Sequence, residues 1–153
     1  MELKLRQTVP LAVLRAMGGS VKGRTRMTKL VFLVEDKLVN TEIDLNDSVD
    51  LEFYPYDYGP FSKVLLNDLE ELKDGGVIEI TRSRTFRSRR YDYKFTPSGE
   101  SAFEDLANSN EDVEKISSVA EDVVESFGEF RIRELLDYIY EEFPEYQENS
   151  VYY

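Results

Sequence analysis

"VIEITRSRTFRSRRYDYKFTP", Val77 through Pro97, begins and ends in strict alternation. Ile78 and Ile80 alternate with polar neighbours at one end, and Tyr91, Tyr93 and Phe95 alternate with Asp92 and Lys94 at the other. A period of two is that of a strand with one buried face, and two such runs about a polar middle predict a β-hairpin. The middle holds five arginines within nine residues: Arg82, Arg84, Arg87, Arg89 and Arg90. Thr96-Pro97 then reads as the N-cap and first residue of a helix.

Upstream of the hairpin the period changes to that of helices. Thr8-Val9-Pro10 opens a first helix, with Leu11, Leu14 and Met17 at helical spacing and Gly18-Gly19 as the stop. Met27, Leu30, Val31, Val34 and Leu38 predict a second over about Thr25 to Val39. Val49 to Tyr56 reads as an extended strand, followed by a sharp turn at Gly59-Pro60. Phe61, Val64, Leu65, Leu69 and Leu72 line a third helix that Gly75 or Gly76 terminates. Downstream, Val113 to Phe127 and Ile132 to Phe143 carry two further amphipathic stripes.

Three helices, a strand, a basic tip, a second strand and a helix give the order of a winged-helix domain. The expected fold is therefore α+β, mainly helical and winged-helix-like, with a basic β-hairpin wing and additional C-terminal helices. Residues 1–108 form the winged-helix-like part, and residues 109–153 form a helical extension packing on it as one compact unit.

Charge gives the hairpin its meaning. The 153 residues carry a formal charge of −12, yet the sign is segregated. Residues 1–37 hold eight basic and three acidic side chains, and residues 82–99 hold six and one. Residues 38–81 hold two basic and eleven acidic side chains, and residues 100–153 hold three and sixteen. Guanidinium forks on a wing suit phosphate oxygens. Duplex DNA is thus the expected partner of Arg82, Arg84, Arg87, Arg89 and Arg90, with Lys22, Arg24, Arg26 and Lys29 adding to the same surface. Alternate strand positions share a side, so about three of the five wing arginines reach a partner together. The rival expectation is a protein-interaction module in which the hairpin pairs with an acidic partner. The acidic C-terminal helices are expected to serve homodimerisation or a protein partner.

Enzymatic chemistry has little to work with. The chain has neither Cys nor His, which removes the ordinary zinc ligands and the Ser-His and Cys-His nucleophile systems. "GGSVKGRT", Gly18 to Thr25, outlines a phosphate-binding loop, but Arg24 stands where Lys is required and a helix precedes it. It reads as a turn between two helices. Glu35-Asp36-Lys37 spells the E-x-K of some nucleases, but in a helix Glu35 and Lys37 diverge by about 200°. The expectation is a non-catalytic protein with no cofactor and no metal. Tyr54 and Tyr56 are expected to pack in the core. No apolar run is long enough to cross a bilayer, and the N-terminal MELKLRQTVP lacks the apolar segment of a signal peptide. A cytoplasmic protein with no membrane partner is expected.

Three stretches carry a resemblance: "RMTKLVFLVEDKL" (Arg26–Leu38), "FYPYDYGPFSKVLLNDLEELKDGGVIEI" (Phe53–Ile80) and "ELLDYIYEEFPEY" (Glu134–Tyr146). Their shared elements are Lys29-Leu30, the turn Tyr58-Gly59-Pro60-Phe61-Ser62, and the unit Leu69, Leu72, Gly76 and Ile78. This pattern resembles the YwgA-like proteins of bacteria and archaea and, more distantly, the SocA-type (Panacea) antitoxin domains. The antitoxin resemblance implies neutralising a toxin by protein contact, or acting as an adaptor to a protease. The arginine wing lies outside the shared pattern. Ser62 is expected to help satisfy free N–H groups at the start of the third helix.

Overall fold

A computed structural model describes residues 1–84 and 89–148. After a 3-10 turn at Leu5–Gln7, the elements are α1 (Thr8–Ala16), β1 (Ser20–Lys22), α2 (Arg24–Asn40), β2 (Tyr54–Tyr56), β3 (Gly59–Phe61), α3 (Lys63–Asp74), β4 (Ile78–Arg84), β5 (Arg89–Phe95), α4 (Pro97–Ser109), α5 (Glu111–Phe127) and α6 (Ile132–Glu142). A second 3-10 turn follows at Pro144–Tyr146. Helices hold 59% of the described residues and strands 16%, so the fold is α+β with helix dominant.

Local chemistry sets the element ends. The Ser62 hydroxyl accepts the Leu65 N–H at 2.9 Å and caps α3. At the other end, Gly76 N–H donates to the Lys73 carbonyl at 3.0 Å and Val77 N–H to the Leu72 carbonyl at 2.9 Å. That paired pattern is a Schellman stop, and Gly76 provides the φ of 75° it requires. The Thr96 hydroxyl accepts the Gly99 N–H at 2.9 Å above Pro97, and the Asn110 side chain does the same for Val113 at 3.2 Å.

Strands β1, β5 and β4 form one antiparallel sheet in that order, and β2 and β3 a separate two-stranded hairpin. β1 corrects the expectation of a plain turn at Gly18 to Thr25. Its three residues are too short to show a period, and only the pairing of Val21 with Tyr93 reveals it. The expected strand from Val49 shrinks to Tyr54–Tyr56. Side chains take the backbone groups that a ladder would need: the Glu35 carboxylate accepts the Leu51 N–H at 2.9 Å, and the Ser62 hydroxyl donates to the Leu51 carbonyl. Glu52 then turns to a φ of 52° and ends any extended run.

The core surrounds α1, whose residues from Thr8 to Leu14 are all buried. A helix buried all round needs partners on every side. α2, the sheet and α5 supply them. α5 lays Val113, Ile116, Val119, Ala120 and Val123 on this core. At one edge Phe32 meets Phe53, Phe143 and Tyr146 edge-on, with ring centroids 5.2, 5.0 and 5.1 Å away. Among the described residues, no helix is long and apolar enough to cross a membrane.

Candidate nucleic-acid interface

The register of the wing sorts its arginines. Arg82 pairs with Tyr91 and Arg84 with Arg89, while Ile80 pairs with Tyr93 and Ile78 with Phe95. Alternation therefore puts Arg82, Arg84, Arg89 and Tyr91 on the face that continues into the core. Arg90 falls on the opposite face, beside Asp92. Its guanidinium grips that carboxylate at 2.9 and 3.2 Å. Through β1, Lys22 pairs with Asp92 and joins this second face.

The first face meets the start of α2. The Arg24 guanidinium carbon lies 4.0 Å from the centroid of the Tyr91 ring, and that of Arg82 lies 5.8 Å from the same ring. Arg24 Nε also donates to the Tyr93 hydroxyl at 3.4 Å. Burial raises the Tyr93 phenol above its ordinary pKa, with Arg24 opposing that rise, so it stays protonated. Arg84 and Arg89 have no ion pair among the described residues, although the chain holds 31 carboxylate residues.

A pocket of about 270 Å³ opens where these elements converge. Arg24, Thr25, Thr28 and Lys29 of α2 form one wall, Tyr56, Tyr58 and Phe61 of the β2–β3 hairpin a second, and Arg89 and Tyr91 of β5 a third. The Tyr56 ring lies 5.2 Å from Phe61, which sets its position. Tyr56 is 49% exposed and Tyr58 50%, and they are two of only four large hydrophobic side chains left exposed among the described residues. The expectation that Tyr56 packs in the core is therefore corrected. β3 folds back against β2 and holds Tyr56 at the rim instead of beneath a helix. Tyr54 is partly buried, with its ring 5.8 Å from Phe61.

Three further expectations change. Lys29 does not reach a surface: it is 3% exposed, and its ammonium donates to the Pro60 carbonyl at 2.9 Å. Burial lowers its pKa from 10.5 to about 7. Arg26 is committed inward, donating to the carbonyls of Phe130 at 2.6 Å and Gly128 at 3.3 Å and tying α2 to the α5–α6 turn. Lys22 and Arg90 share a face of their own, away from Arg82, Arg84 and Arg89. Arg87 lies outside the described residues. The cations that share the pocket side are thus Arg24, Arg82, Arg84 and Arg89.

The turn residues named for the resemblance have structural employment, with one exception. Gly59 adopts a φ of 86° beside Tyr140, whose Cε1 would be 3.2 Å from a Cβ placed there. Pro60 receives Lys29, Phe61 buttresses Tyr56, and Ser62 caps α3. Tyr58 alone points its exposed ring at the pocket without an evident packing duty. The sequence singled out Tyr54 and Tyr56 as core residues and Tyr58 as part of a turn, but not Thr25, Thr28 or Tyr91 as pocket walls. They lack a motif, and only the approach of α2 to β5 makes them neighbours.

Helix α3 stands in chain order where a winged helix carries its groove-reading helix. Its exposed side chains include Glu70, Glu71 and Asp74 against Lys63 and Lys73, and Lys73 pairs with Glu70 at 2.8 Å. An acidic helix face is repelled by a phosphate-lined groove. Among the described residues, no cluster of acidic side chains is arranged to hold a metal ion. No family model matches the chain. No curated protein matches it significantly either.

Proposed function

We propose that this protein is a non-catalytic DNA-binding protein that grips phosphates with Arg82, Arg84 and Arg89 of the wing and Arg24 of α2, and acts in regulation. One observation carries the reading: among the described residues of a strongly acidic chain, Arg84 and Arg89 have no ion pair, on the strand face they share with Arg82. Guanidiniums kept clear of the protein's own carboxylates are available to an outside anion. Phosphate contact supplies affinity but little sequence readout, and the acidic face of α3 fits a mode without groove reading.

The test is a fluorescence-anisotropy titration of labelled DNA at several salt concentrations. Four phosphate contacts give a slope of log affinity against log salt of about −3.6. Arg84→Glu/Arg89→Glu should abolish binding at low salt. No binding by the wild type at low salt overturns the proposal.

A second reading is favoured by the exposed Glu70, Glu71 and Asp74 of α3, which suit a basic protein surface. It makes the protein an adaptor or antitoxin-like module. A stoichiometric protein partner that co-purifies from the native host, and is lost on Glu70→Lys/Asp74→Lys, would support that reading.

A further inference from the structure

We infer that the pocket at the root of the wing receives one unpaired nucleobase, so that the protein prefers DNA with exposed bases over an unbroken duplex. The inference rests on the DNA-binding reading and names the form of DNA that site takes. Its volume, about 270 Å³, is just under the roughly 300 Å³ at which clefts for whole small-molecule ligands begin. It suits a single ring system.

The walls combine two chemistries that few ligands satisfy together. Tyr56 and Tyr58 leave half of their surface in water, and Tyr91 presents a ring already stacked by Arg24. Aromatic faces of this kind stack on any base. The same pocket holds Arg24 and Arg89. Their guanidiniums carry several N–H donors each, enough for a base carbonyl or ring nitrogen as well as a phosphate. A peptide carboxylate would satisfy the cations and leave the rings bare. An apolar side chain would cover the rings and strand the cations. A nucleotide supplies a flat π face, acceptor atoms and a phosphate in one unit.

Continuity with the wing supports the same ligand. Arg89 lines the pocket and pairs across the ladder with Arg84, so a strand whose base enters the pocket has its neighbouring phosphates beside the wing. In an intact duplex the base faces are hidden in the stack, and the tyrosines would have nothing to contact.

The test uses the full chain and three labelled probes of one sequence at one low salt concentration: a blunt duplex, that duplex carrying one unpaired base, and the single strand. Binding to the unpaired-base duplex and the single strand should be roughly ten- to a hundredfold tighter than to the blunt duplex. Tyr58→Leu should erase that preference and leave blunt-duplex affinity unchanged, whereas Arg84→Glu should weaken all three. 2-Aminopurine at the unpaired position should lose fluorescence on binding wild type and keep it with Tyr58→Leu. Because Tyr58 is half exposed, its variant should melt with the wild type, which separates a lost contact from a lost fold. Equal binding of all probes, with Tyr58→Leu silent, overturns the inference and leaves the DNA-binding reading standing. Absence of binding to every probe overturns both.

Discussion

The Lys29 ammonium, buried in α2, donates a 2.9 Å hydrogen bond to the carbonyl of Pro60. This contact joins the two most recognisable segments of the sequence and holds the β2–β3 hairpin against α2. The hairpin in turn carries Tyr56 and Tyr58 to the pocket rim. A single buried cation thereby sets where two exposed aromatic rings stand.

Lys29 makes stability depend on pH. Its pKa falls from 10.5 to about 7 on folding because burial disfavours the charged form. Between those values the unfolded chain binds the extra proton, so stability rises with pH across that window and the cost of the buried charge is full below about pH 7. Urea midpoints of wild type and Lys29→Met should therefore diverge in favour of wild type from about pH 7 upward, by at most about 1.4 kcal/mol per pH unit.

Glu35 acts with the opposite sign. Burial raises its pKa from 4.5 to about 7, against the opposing hydrogen bond from the Leu51 N–H. The native state holds the proton between those values, so this group's contribution is complete below about pH 4.5 and is lost as pH rises through 7. Glu35→Gln should lack this loss and gain on wild type across the same window. Its partial exposure keeps the effect below about 1.4 kcal/mol per unit. Paired denaturation curves at pH 5 and pH 8 would show it.

Asp68 is fully buried and takes a two-pronged grip from Arg6, at 2.8 and 3.1 Å, with Gln7 at 3.2 Å. Asp68→Ala leaves the partly exposed Arg6 guanidinium without its carboxylate and the buried Gln7 amide with Glu71 alone, and should cost about 1–3 kcal/mol. Glu121→Ala, which breaks an exposed pair with Arg15, should cost less than about 1 kcal/mol. Thermal melts of the two variants should separate accordingly.

Gly59→Ala forces a side chain into a left-handed φ of 86° and to within 3.2 Å of Tyr140. The expected cost is about 1–3 kcal/mol. Because the strain falls on the hairpin that carries Tyr56 and Tyr58, affinity for DNA with an unpaired base should drop along with the melting temperature, whereas a cap deletion such as Ser62→Ala should cost about 1 kcal/mol.

Arg90 offers a control for the wing. It faces away from Arg84 and is held by Asp92. Arg90→Ala should leave the salt slope of DNA binding unchanged, and Arg84→Ala should reduce it by about 0.9.

Sequence by itself determined what depends on near neighbours. The strands on either side of the wing follow from the alternation of Ile78, Ile80, Tyr91, Tyr93 and Phe95. The ends of α3 and α4 follow from Ser62, Gly76 and Thr96-Pro97, whose side chains or φ angles act within a few residues. Only tertiary structure decided the fate of the cations. Arg24 and Arg26 stand two residues apart on one helix, yet Arg24 lies over the Tyr91 ring of β5 and Arg26 donates to the carbonyls of Phe130 and Gly128. Lys29 sits one residue from Leu30 on a helix whose charge reads as surface, until the Pro60 carbonyl arrives from 31 residues away to receive it. β1 and the pocket walls share that cause. Their partners are distant in sequence, and no local pattern records a contact that exists only once the chain has closed.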